Sequence, residues 1–171
     1  MARLPTPSAR PRVTAATRRR LNQRKLLWPE LDPELVWDRS TFTGFTTVPR
    51  TLSLILRIVD GLDAKKAGRV YFDLWCRAFD DFVIEVRDEF ELAFSAGYEG
   101  QRAVRSWRER IAVLTDAGFV KTYRAPHGAP RMIVVLDPHP VVAERNRRGL
   151  VAAEDWLALQ SLLVSIGSRP L

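Results

Sequence analysis

Apolar and polar positions along the chain fall into blocks whose periods predict its elements. Thr47-Val48-Pro49 offers a capping threonine and an early proline, and Leu52, Leu54, Ile55, Ile58, Val59 and Leu62 follow at helical spacing until Gly61-Leu62-Asp63. Asp63 to Gly68 is a polar connector, after which Tyr71, Leu74, Trp75 and Ala78 repeat at i, i+3, i+4 and i+7 and predict a second helix. Phe82 to Val86 is a short β-branched and aromatic run, a strand. Asp88 with Glu91 then forms a capping-box pair that starts a short helix carrying Phe90, Ala93 and Phe94 and ending at Gly97. The turn Gly97-Tyr98-Glu99-Gly100 leads to a longer helix with Val104, Trp107, Ile111 and Leu114 on one apolar face, closed by Ala117-Gly118. Phe119 to Arg124 and Met132 to Leu136 read as two strands about a Pro/Gly turn. Pro138-His139-Pro140 punctuates the chain, and Val141 to Arg148 begins a helix interrupted near Gly149. From Ala152 a better helix runs with a seam of Ala152, Trp156, Leu159, Leu163 and Ile166, widened by Leu157, Leu162 and Val164.

This order of short strand, short helix, turn, long basic helix and two-stranded ribbon resembles the winged helix-turn-helix superfamily, without pointing to a subfamily. Glu91-Leu92-Ala93, the run Arg105 to Leu114, Asp116-Ala117-Gly118-Phe119-Val120 and the ribbon around Gly128 carry the resemblance, which covers the middle third of the chain. It implies a mainly α fold with a small β-wing (α+β), with extra N-terminal and C-terminal helices. It also implies that the second helix of the motif enters the major groove while the wing touches flanking backbone or minor groove. The expected domains are a basic, disordered arm over 1–27, a winged-helix domain with its support helix over 28–138, and a helical extension over 139–171. A helix ending in Ala-Gly-Phe-Val before a hairpin is frequent among bacterial regulators and plasmid replication initiators, and the same fold also serves as a protein–protein adaptor.

With the apolar stripe of the long helix turned inward, Arg102, Arg105, Ser106 and Glu109 face outward, and Gln101 lies near the edge of that arc. Arginine donates two hydrogen bonds to the O6 and N7 of guanine, glutamine addresses adenine, and serine reaches a phosphate or a base edge. Arg108 and Arg110 flank the stripe, placed either to meet the duplex backbone or to lie over the core. On the wing, Lys121, Arg124, His127 and Arg131 are candidate phosphate contacts.

Composition adds a different point. With 171 residues and 46% hydrophobic content the chain is long enough for one domain with appendages. Its net charge is +7, mostly from arginine, which suits phosphate and also accompanies GC-rich genomes. From Met1 to Leu27 it carries Arg3, Arg10, Arg12, Arg18, Arg19, Arg20, Arg24 and Lys25 with no Asp or Glu, so the remainder is nearly neutral. Arg18, Arg19, Arg20, Arg24 and Lys25 are therefore the candidate arm contacts, supplying phosphate binding without sequence preference. A solubilising tail and an organellar transit peptide share this composition, although three early prolines count against a transit helix.

No apolar run approaches the roughly 20 residues of a membrane span, and the expected location is the cytoplasm. Cys76, the one cysteine, is expected to be a buried inert thiol. The acidic residues Asp80, Asp81, Glu85, Asp88, Glu89 and Glu91 lack the spacing of a two-metal nuclease. His127 and His139 form no ligand spacing with Cys76, and no phosphate loop or nucleophile elbow is legible. The expectation is a non-enzyme with no metal and no cofactor, whose partner is double-stranded DNA. The alternative is an adaptor subunit whose C-terminal helix and acidic edge bind proteins while its tail binds nucleic acid non-specifically. The C-terminal helix has two readings of its own. It packs on its own domain, or it pairs two copies through the candidate contacts Trp156, Leu159, Leu163 and Ile166 to read a palindromic site.

Overall fold

A computed structural model describes residues 14–38, 44–124 and 128–171. The chain divides into two compact units, Met1–Thr43 and Gly44–Leu171. The first contains helix α1 (Ala15–Leu27), capped by the Thr14 hydroxyl, and a single 3-10 turn at Pro33–Leu35. Most of α1 is exposed, with arginine and lysine around its circumference and no apolar face. The basic segment, expected to be disordered at least up to about Ala15, is helical from Ala15 to Leu27.

The second unit holds the core. Its helices are α2 (Leu52–Gly61), α3 (Gly68–Arg77), α4 (Glu89–Ser95), α5 (Ala103–Ala117), α6 (Pro138–Arg147) and α7 (Ala153–Ser165). The strands β1 (Val83–Glu85), β2 (Val120–Arg124) and β3 (Pro130–Val135) form an antiparallel sheet in the order β1-β3-β2. The chain is therefore mainly helical with a small antiparallel sheet, and α3-β1-α4-α5-β2-β3 follows a winged-helix-like layout.

Packing follows the apolar periods. Leu52, Ile55, Ile58 and Val59 of α2 meet Val70, Tyr71 and Leu74 of α3, while Trp107, Ile111 and Leu114 of α5 close against α3 and the sheet. Tyr71 packs edge-on against both Trp75 and Phe119. Full burial of such side chains contributes about 1.5–3 kcal/mol each. Asp88 caps α4, accepting from the backbone N–H of Phe90 at 2.8 Å and of Glu91 at 3.4 Å. The return half of the expected capping box is replaced, since Glu91 pairs instead with Arg77 at 3.0 Å.

Several expectations are corrected. Helix α2 begins after Thr51, and the Thr51 hydroxyl, only 1% exposed, lies 2.8 Å from His139 Nε2. The Nδ1 of His139 faces Asp137 at 2.8 Å, and Asp137 also caps α6. This row of hydroxyl, imidazole and carboxylate clamps the start of α2 to the start of α6. Pro138-His139-Pro140 is accordingly the first turn of α6, where a missing proline N–H costs nothing. Phe90 and Phe94 are exposed although the apolar spacing placed them inward. Leu92 and Ala93 take the buried side of α4. Cys76 is exposed on α3, and its thiol is pushed up by partial desolvation and then by Asp73, against the opposing effect of Arg77.

Residues 28–43 belong with α1 in the first unit, and α6 and α7 belong to the same compact unit as the winged core. Leu159 and Leu163 of α7 are buried in that core, with α7 packed on α2 and Arg57 of α2 paired with Glu154 and Asp155. Two of the candidate dimer contacts are therefore intramolecular core positions, and Trp156 and Ile166 are half-buried.

Candidate nucleic-acid interface

Helix α5 starts at Ala103, because the preceding Gly100-Gln101-Arg102 forms a turn in which the Gly100 carbonyl accepts from the Ala103 N–H at 3.1 Å. Gln101 and Arg102 consequently stand exposed just ahead of the helix instead of on its first turn. Gly97, at φ 85°, makes the sharp reversal between α4 and this turn, a conformation that suits glycine. The buried stripe of α5 is Ala103, Trp107, Ile111, Leu114 and Ala117, while Val104 is only half-buried.

The polar face of α5 carries its charges in pairs. Arg105 reaches Glu109 one turn on at 3.2 Å. Arg108 forms a two-pronged pair with Glu89 of α4, Nε lying 2.8 Å from one carboxylate oxygen, and this carboxylate raises the guanidinium pKa further. Arg110 lies over the Tyr98 ring, 4.9 Å from its centre, and donates to the Ser106 carbonyl at 2.9 Å. Ser106 is half-buried and Arg105 is exposed. Gln101, Arg102 and Arg105 thus form the accessible part of the predicted reading face, with Glu109 holding Arg105 along the helix axis.

On the wing, Lys121, Arg124 and Arg131 are exposed, and Arg124 donates to the Gly128 carbonyl at 2.9 Å across the turn. His127 lies outside the described residues. Arg18, Arg19, Arg20 and Lys25 are exposed on α1, where Arg24 is half-buried.

Antiparallel pairing of β1 with β3 brings in one cation that the linear pattern did not reveal. The Val86 N–H donates to the Arg131 carbonyl at 2.9 Å, which places Arg87 at the base of the wing. Arg87 and Arg131 both line an open concavity of about 490 Å³, whose lining also includes the carboxylates Asp88 and Glu89 and the apolar Phe90, Val104 and Pro130. The only local signal would have been an arginine directly after a strand. Its partner became visible only once the strand register was known. Arg87 is itself paired with Glu85 at 2.8 Å.

Among the described residues no group of three or more His, Cys, Asp or Glu side chains is set to hold a metal ion. No helix there is long and apolar enough to cross a membrane. Compared with protein-family models, curated proteins and solved structures, the chain gives no match.

Proposed function

We propose that the protein binds double-stranded DNA, with Gln101, Arg102 and Arg105 meeting base edges in the major groove. Arg87, Lys121, Arg124 and Arg131 hold flanking phosphates. The observation that carries this reading is that Val104, at the start of α5, lines the same open concavity as Arg87 and Arg131 at the base of the wing, while its sequence neighbours Gln101, Arg102 and Arg105 are exposed. Such a layout lets a helix sit in the groove while the ribbon tracks the backbone beside it. The basic α1 segment adds phosphate contacts that carry no sequence information and steepens the salt dependence. In this reading the protein is a regulator or replication accessory of a bacterium, plasmid or phage and works in the cytoplasm.

A salt-dependent selection from random duplexes tests the proposal. A preferred motif is expected, and on it Arg105→Ala should cost about 1–3 kcal/mol, with a much smaller loss on random DNA. An equal loss on both would reduce Arg105 to a backbone contact. The Arg105–Glu109 pair is exposed and screened by water, so a base edge competes with Glu109 without a large desolvation penalty.

A second reading, a protein–protein adaptor, is favoured by a specific observation. Arg105 and Arg108 are each matched by a carboxylate of the chain, and Phe90 and Phe94 of α4 are exposed nearby. Neutralising Arg18, Arg19 and Arg20 distinguishes the two. If that change abolished all DNA binding while Arg102→Ala and Arg105→Ala changed nothing, the adaptor reading would stand and base recognition by α5 would fall.

A further inference from the structure

Among the described residues strand β1 has one neighbour in the sheet, β3, so its other side is an edge. The register fixes which backbone groups face that edge. The pairs Phe82 with Val135 and Val86 with Arg131 carry hydrogen bonds to β3, at 3.0 and 2.9 Å. Antiparallel ladders alternate, so Ile84, opposite Ile133, also points its N–H and C=O at β3, while Val83 and Glu85 point theirs outward. The outward N–H of Val83 is met by the Asp81 carboxylate at 3.2 Å. The Val83 carbonyl and both the N–H and C=O of Glu85 remain directed off the edge.

Proteins usually cover or blunt such an edge, because unpaired strand groups template another strand. Here the edge opens instead on a trough of about 440 Å³, walled on the far side by Arg77, Phe79, Glu91 and Leu92. Phe79 is 83% exposed, an apolar ledge beside the backbone groups. Both arginines of the trough are engaged. Arg77 is held by Asp73, Glu91 and Ser95, and Arg87 is held by Glu85. Asp88 at one end, and Asp80 and Asp81 in the loop before β1, are exposed and leave the rim acidic.

We infer that this edge takes an extended, basic peptide segment of a partner protein, which adds a fourth strand to the sheet. Backbone bonds to Val83 and Glu85 supply the pairing, an apolar side chain rests on Phe79, and flanking lysines or arginines meet the acidic rim. The charge sign selects the occupant, since an acidic segment would meet uncompensated carboxylates of its own sign. The trough includes none of the α5 reading residues, although it shares Arg87 with the proposed phosphate contacts, and the inference does not require that α5 bind DNA.

A fluorescein-labelled peptide of about six residues alternating arginine and valine, capped at both ends, is the probe. It is titrated into the full chain by anisotropy, beside a glutamate–valine peptide of equal length. The basic peptide should bind at least tenfold more tightly and should slow hydrogen exchange at the Glu85 amide. Glu85→Pro removes an edge-facing donor and leaves the β3 side of the strand intact, so it should abolish binding with an unchanged melting temperature. Asp80→Lys with Asp81→Asn should weaken binding and reduce its salt dependence, and this variant covers the case in which the proline variant does not fold. Both variants make the surface more positive, and Glu85→Pro also releases Arg87, so overall DNA affinity should hold or rise while its dependence on Arg105 persists, which separates failure here from failure of the DNA-binding reading. Equal affinity for both peptides, binding that survives Glu85→Pro in a folded chain, or no binding at all would overturn the inference. A concentration-dependent dimer dispersed by Glu85→Pro, without peptide binding, would assign the edge to a second copy and overturn it as well.

Discussion

Burial pushes the Tyr71 phenol up to about 12 from an ordinary 10.0, with a smaller upward push from Asp137 and an opposing pull from Trp75. Its hydroxyl donates to the Leu136 carbonyl at 3.3 Å, and its ring packs against Phe119. Between those two pH values the unfolded chain has released this proton while the folded chain keeps it. Stability should therefore fall as pH rises through that window, by roughly 3 kcal/mol for this group once the whole window is crossed. Urea midpoints measured from about pH 9 to about pH 12 should drop more steeply for the wild type than for Tyr71→Phe. Parallel curves would mean that Tyr71 ionises in the folded protein as it does in water. At this scale the sequence was informative where burial is periodic and silent where charge is paired at a distance. Tyr71, Trp107 and Ile111 announced themselves by spacing, whereas Glu89 meeting Arg108 depends on how α4 lies against α5.

Among the elements, the α2–α3 corner shows how a small residue sets a helix crossing. Gly68 donates its N–H to the Asp60 carboxylate at 2.6 Å, and a Cβ built on it would lie 2.8 Å from that carboxylate and 2.9 Å from the Leu56 carbonyl. The carbonyl is backbone and cannot step aside, so Gly68→Ala must push α3 away from α2. A cost of about 1–3 kcal/mol is expected from thermal unfolding, the range of an overpacked core. Gly61→Ala is the control, because nothing lies within 4 Å of its Cβ and it sits inside a helix. It should be neutral or slightly stabilising. Equal effects of the two would show that the corner is not tightly packed. Helices α2, α3, α5 and α7 were legible because their apolar stripes run for several turns. The seven-residue α4 was legible in place but not in orientation, since so short a helix offers two plausible apolar sides. The expected side held Phe90, Ala93 and Phe94, and close packing on α5 kept Ala93, brought in the smaller Leu92 and left both phenylalanines outside. The candidate site was half legible for the same reason. The α5 face lay in one local stretch, and Arg87 joined it only through the register of β1 on β3.

At the scale of the whole Gly44–Leu171 unit, α7 decides whether the chain's C-terminal apolar surface serves its own fold or a second copy. Leu159 and Leu163 sit in the same core as Ile55 and Val59, and Arg57 with Glu154 and Asp155 marks the same contact at its solvent side. The large exposed apolar residues of α7 are Leu157 and Val164, which lie two turns apart on its outer side. Truncating a buried leucine leaves a cavity and costs about 2–5 kcal/mol, whereas trimming an exposed one costs little. Leu159→Ala should therefore lower the unfolding midpoint of the full chain sharply without altering its mass in sedimentation equilibrium. Leu157→Ala should leave the midpoint nearly unchanged. If Leu159→Ala instead changed the association state while the melting temperature held, α7 would have left α2 to pair with another copy. Under the proposed DNA-binding function, recognition would then pass from one α5 face to two related by a two-fold axis, and a selected duplex would be palindromic with half-sites about one helical turn, or a multiple of it, apart. The packing of α7 on α2 argues for the first outcome, in which the recovered motif is a single asymmetric site.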